Sequence, residues 1–193
     1  MEINVILIVS VAVAFFLFLY FARIYNELVA LKNNVNKTWS NIDVLCKQRH
    51  DELPKLVAAC QEYMGYEQET LKQVMDARGS VLKALNEGKV SDLGHAESTL
   101  RRSLGGLFAL AENYPDLKAN NSFQQLQARI SGLENSIADR RELYNEAANQ
   151  NNIRINQFPD MFISRVLGFK GFELLQFSKA ETADVNIRNL FNS

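Results

Sequence analysis

The sequence has little with which to interrupt a helix. Three prolines and nine glycines are spread over 193 residues, which excludes long disordered or loop-rich segments and leaves few places where a helix must stop. Neither sign of charge is in excess: 21 Lys and Arg face 22 Asp and Glu, for a net charge of −1. A chain so balanced has no global electrostatic pull toward nucleic acid, and no nucleic-acid partner is expected. No period-two run bounded by turn residues occurs, which argues against strands. The two histidines, His50 and His95, are in no HExxH arrangement. One His per region cannot build a standard zinc site. The two cysteines, Cys46 and Cys60, lie 14 positions apart. On a straight helix that is about 21 Å at 1.5 Å per residue, against the roughly 7 Å that a disulfide tolerates. They are expected as small buried apolar residues.

Set against these absences is one long uncharged run. Ile3 to Ala22 reads INVILIVSVAVAFFLFLYFA, and twenty helical residues span about 30 Å, the thickness of a bilayer's hydrocarbon core. Tyr20 and Arg23 suit the membrane interface. A cleaved signal would show a basic start and a small-residue cleavage site. Here Glu2 is the only charged side chain before the span and its end is aromatic, so a retained transmembrane helix is expected. Arg23, Lys32, Lys37, Lys47 and Arg49 follow the span and no Lys or Arg precedes it. The positive-inside rule then puts the body in the cytoplasm.

The stretch from Ile24 to Ala84 carries a heptad seam. Tyr25, Leu28, Val35, Trp39, Ile42, Cys46, Leu53, Leu56, Cys60, Tyr63, Val74, Val81 and Ala84 recur at gaps of three, four or seven, which puts them on one helix face that partner helices must cover. Pro54 interrupts it. Unbroken register argues for a kink there, while matched segment lengths argue for a reversal. Asn86-Glu87-Gly88-Lys89 predicts a stop, with Ser91 as the next N-cap. A second seam of Leu93, Leu100, Leu104, Leu107, Ala111 and Tyr114 ends before Pro115, and Gly105-Gly106 within it reads as close helix packing. Ser122 is the expected cap of a third seam running through Phe123, Leu126, Ile130, Leu133, Ile137, Tyr144, Ala147 and Phe158 to Pro159. Arg49, Glu67, Arg140, Asn151 and Arg154 fall at inward positions, either with long stems along the core or as a buried ion-pair network with Glu112, Glu134 or Asp43. The aromatic run after Pro159 predicts a short helix to about Leu167 that closes the bundle, with an interfacial membrane segment or a docking patch as alternatives.

The expected fold is all-α: an N-terminal transmembrane helix continuing into an elongated antiparallel helical bundle with a four-helix, heptad-patterned core. Residues 1–23 form the anchor, 24–168 the bundle and 169–193 a partly hydrophobic tail, polar from about Ser178 and either frayed or used in oligomer contacts.

The run IYNELVALKNNVNKTWSNIDVLCKQRHDELPKLV resembles the signature of the LemA family of bacterial membrane proteins, through Tyr25, Asn26, Leu28, Val29, Trp39, Ile42, Asp43, Arg49, Leu53, Pro54, Leu56 and Val57. AENYPDLKANNSFQQLQ is similar to its central segment, and Glu134 through Arg141, Tyr144, Asn145, Asn152, Phe158 and Pro159 to its closing one. Where the family commonly shows a second Tyr-Asn pair, Asn151 takes the Tyr place. The resemblance implies an N-terminal transmembrane helix, a cytoplasmic or envelope-facing bundle and no enzyme chemistry.

No catalytic, cofactor-binding or metal-binding residues are expected. The candidate interaction or structural polar residues are Trp39, Arg49, Glu112, Arg140 and Tyr144. The favoured function is a membrane-anchored scaffold or adaptor at a bacterial membrane, with a protein partner or a second copy. The alternative is a ligand- or metal-binding bundle with an interhelical site around Arg49, His50, Glu112 and Arg140.

Overall fold

A computed structural model describes residues 2–176; Phe177 and the polar end from Ser178 lie outside the described residues. These are all-α: α1 (Glu2–Gln61), α2 (Gln68–Glu87), α3 (Val90–Ala111), α4 (Pro115–Ala119), α5 (Asn121–Asn156) and α6 (Asp160–Val166). No strand occurs among them. The start of α1 is long and apolar enough to cross a membrane, and its apolar side chains are exposed.

Pro54 lies inside α1, so the chain does not reverse there. Proline has no N–H to offer the carbonyl four residues back, and the His50 carbonyl instead accepts from Arg78 Nε of α2 at 2.9 Å. The turn comes at residues 62–67, and the apparently continuous seam from Ile24 to Ala84 is two helices. Gly88, at φ +64°, ends α2 as the stop signal predicts, with Lys89 N–H reaching the Ala84 carbonyl. The two expected caps are displaced. Lys89 precedes α3 without a side-chain cap. Asn120, not Ser122, caps α5, its Oδ1 accepting from Ser122 and Phe123 N–H at 2.9 and 3.1 Å.

The described residues divide into two compact units, one of residues 2–40 with 142–173, the other of residues 41–141 with 174–176. In the second, the seams of α1, α2, α3 and α5 bury Leu53, Val74, Leu104 and Ile130. Gly105 and Gly106 do not pack closely: both are exposed, with open space where a Cβ would stand. Close approach occurs at Gly94, where a Cβ would lie 3.2 Å from the Gln176 carbonyl oxygen.

In the first unit, Ile24, Leu28 and Ile155 form a small core against which Ile163 and Phe169 pack. Ile24 is buried here and Tyr25 is 47% exposed. Positions i−3 and i−4 from Leu28 share a helix face, so spacing alone does not choose between them. Met64 is buried in place of Tyr63, because α1 has ended at Gln61 and both residues lie in the turn, where helical spacing no longer applies. Phe158, assigned to the α5 seam, is 79% exposed, because α5 has ended at Asn156. Gly168 at φ +72° turns the chain out of α6. The Asn152 side chain then holds Phe172 by its N–H and its carbonyl, both at 2.8 Å.

Candidate functional site

Buried polar residues occur in both units. In the second unit, Arg49 of α1 is 1% exposed. Its Nη2 donates to Glu97 of α3 and its Nη1 to Glu134 of α5. The thiol of Cys46, one turn earlier on α1, donates to the same Glu97 oxygen at 3.7 Å. Burial works against the Arg49 charge, but the two carboxylates outweigh it and hold the pKa above its ordinary value. Burial pushes the Glu134 carboxyl up, and Glu97 adds to this while Arg49 opposes it. Burial and then Glu97 raise the Cys46 thiol far above the range in which a thiolate forms. The second thiol, Cys60, is pushed up to about 11 by burial. Both cysteines are free and buried.

One cation between two carboxylates is a closed arrangement. The gap lined by Cys46, Arg49, His50, Leu53 and Arg78 does not admit a water molecule, so it offers a ligand no room. Burial, then Arg78, lowers the His50 pKa. Among the described residues no three His, Cys, Asp or Glu side chains are placed to hold a metal ion.

In the first unit, Trp39 of α1 and Tyr144 of α5 stack with ring centroids 5.4 Å apart. Tyr144 is 2% exposed and its hydroxyl donates to the Glu173 carbonyl at 2.9 Å. It therefore supports the chain after α6 and does not present a docking face. Arg154 bridges three helices, donating to Glu27 of α1 at 2.5 Å and pairing with the buried Asp160 of α6.

The other expected residues sit apart from these groups. Arg140 is exposed, because at the end of that turn the buried guanidinium is that of Arg141, which donates to the Gln176 carbonyl at 3.0 Å. Glu112 is exposed and pairs with Lys118. Asp43 is half-buried and pairs with Lys47, one turn on along α1, at 2.6 Å. Glu67 is half-buried and accepts from the Tyr114 hydroxyl at 3.3 Å. Glu52, Glu97, Arg141, Asp160 and Ser164 are buried and are not among the inward polar residues expected from the sequence. Glu97 carries a usable signal: it lies three residues before Leu100 and four after Leu93, within the α3 seam.

The LemA family model matches residues 38–188, most of the chain beyond the apolar run. The chain belongs to the LemA family. Among relatives, Protein LemA of Metamycoplasma hominis is 29% identical over 187 residues, covering 97% of this chain and 84% of its own length. Magnetosome protein MamQ 1 of Paramagnetospirillum magneticum is 26% identical over 190 residues, covering 86% and 70% respectively. Magnetosome protein MamQ of Magnetospirillum gryphiswaldense is 24% identical over 172 residues, covering 77% and 63%. None of these names denotes an enzyme. With its exposed apolar N-terminal helix, this LemA family chain is a membrane-associated helical protein.

Proposed function

We propose that the chain is a single-pass, non-catalytic scaffold or adaptor at a bacterial membrane, anchored by residues 1–23 with residues 24–168 as its working body in the cytoplasm. The body's occupants are other proteins or a second copy of the chain, and residues 169–193 form an appended tail. The observation that carries the proposal is the contrast between the two parts of α1. Residues 5–21 of α1 carry no charge and are exposed to their surroundings, whereas the charge at Arg49 is sealed by two carboxylates. An exposed apolar helix of that length suits a lipid solvent, and a paired cation with no space beside it suits structural support over substrate chemistry. The relatives' names add support, since they include a magnetosome protein and no enzyme.

Crosslinking of the full-length protein in native membranes, followed by mass spectrometry, tests it. Enrichment of one membrane protein, or of the chain itself, is the expected result. A crosslink map with no partner above background, together with a small molecule or metal that raises the Tm, would overturn the scaffold in favour of ligand binding.

A further inference from the structure

The apolar face of α6 has no cover within its own unit. Three attachments fix its orientation: Asp160 pairs with Arg154, Ser164 Oγ donates to the Ile155 carbonyl at 2.8 Å, and Ile163 packs on the small core. The helix consequently buries its polar Asp160 and Ser164 and turns Phe162, Val166 and Leu167 outward, Val166 being 84% exposed. A helix with its polar side in and its apolar side out is built for an apolar surrounding.

That face meets the last turns of the apolar run. A groove of about 730 Å³ lies between them, lined by Phe18, Phe21 and Tyr25 on one wall and Phe162, Val166 and Leu167 on the other. Tyr25 and Leu167 also line a second groove of about 640 Å³, which carries Lys32, Asn33 and Lys170. The two lysines are exposed, and neither meets a carboxylate among the described residues. The grooves therefore form one amphipathic cleft, apolar beside the span and cationic beyond it.

Lys32 lies ten residues past Ala22, about 15 Å along the helix and beyond the headgroup layer, which extends some 5–8 Å past the hydrocarbon; helical side chains lean toward the N-terminus, which brings its ammonium back in the direction of that layer. Lys170 follows directly on Phe169, whose ring packs edge-on to Tyr25 at 6.2 Å, three residues past the end of the span.

We propose that this cleft is a binding site for an anionic phospholipid, with an acyl chain in the groove between Phe18 and Val166 and the headgroup phosphate between Lys32 and Lys170. The proposal rests on the reading of α1 as a membrane anchor.

Native mass spectrometry of the delipidated full-length protein, titrated separately with phosphatidylglycerol and phosphatidylcholine of the same chains, tests it. Two lysines near an anionic group favour phosphatidylglycerol by about tenfold or more. The variant K32Q/K170Q is expected to lose that preference while binding phosphatidylcholine unchanged. Val166→Asn, at a position with no neighbour to disturb, is expected to weaken both lipids. Equal binding of the two lipids by the wild type, full preference in K32Q/K170Q, or displacement of the lipid by inorganic phosphate alone would overturn the proposal. A dimer that excludes lipid would assign the groove to a second copy instead. Alkaline extraction of the same membranes separates the two readings. Protein washed off the membrane refutes the anchor itself, whereas retained protein without a lipid preference refutes only the cleft.

Discussion

Arg49 holds together three helices of its unit through two hydrogen-bonded carboxylates. Replacing it with Met leaves Glu97 and Glu134 buried without a cation, and loss of one partner from a buried pair costs about 3–5 kcal/mol. Arg49→Met is therefore expected to shift the urea midpoint of the detergent-solubilised protein sharply downward. Glu134→Gln is expected to do much less, because the Arg49–Glu97 pair survives. A wild-type midpoint in Arg49→Met would refute the structural role. The same residues set a pH dependence. The folded-state pKa of Glu134 is raised, chiefly by burial, so between its unfolded and folded values the native state binds more protons. Stability from this group is thus fully present below the ordinary glutamate range and is lost as pH rises through the folded value. Denaturation midpoints measured across that window should fall with rising pH in the wild type and show a smaller fall in Glu134→Gln.

Within α1, the break in hydrogen bonding at Pro54 is used by a neighbouring helix. Arg78 of α2 supplies the donor that residue 54 cannot, and a buried carbonyl left without one costs about 1–3 kcal/mol. Arg78→Met should therefore be costly in the wild type and cheaper in Pro54→Ala, whose new N–H can reach the His50 carbonyl. A double-mutant cycle by chemical denaturation measures that coupling, and strict additivity would refute it. The glycines of α3 divide by their surroundings. Gly105→Ala and Gly106→Ala fill open space on an exposed helix face, and each should stabilise by about 0.5–1 kcal/mol. Gly94→Ala meets a backbone oxygen at 3.2 Å and should lower the Tm. A gain at Gly94 would show that the segment near Gln176 yields readily.

For the whole molecule, the testable claims concern the membrane. Charges at the centre of a span cost about 2.5–3.5 kcal/mol each, so the double variant Val11→Lys with Phe15→Lys should move the protein from the alkali-resistant membrane pellet to the supernatant. Sidedness can be read at Tyr66, which is fully exposed between α1 and α2. Cys46 and Cys60 are buried with raised pKa values and should not react, so Tyr66→Cys provides a single reporter. A membrane-impermeant maleimide should label it only after the cells are broken. Labelling of intact cells would put the body on the outer side.

Features written in local composition are legible in the amino-acid sequence by itself. Ile3 to Ala22 lacks charge, Gly88 supplies the positive φ that ends α2, and heptad spacing places Leu53, Leu104 and Ile130 inward wherever their partners lie. What spacing leaves degenerate is decided by tertiary contact. Ile24 or Tyr25 and Arg140 or Arg141 are neighbours on a helix surface, and only the packed partner selects which one is buried. The role of Pro54 follows the same rule, since a missing N–H predicts an unpaired carbonyl but not the arginine of another helix that fills it. The outward apolar face of α6 is the least readable feature. Its sequence is that of an ordinary amphipathic helix, and it is the pairing of Asp160 with Arg154 that turns the apolar side away from the protein.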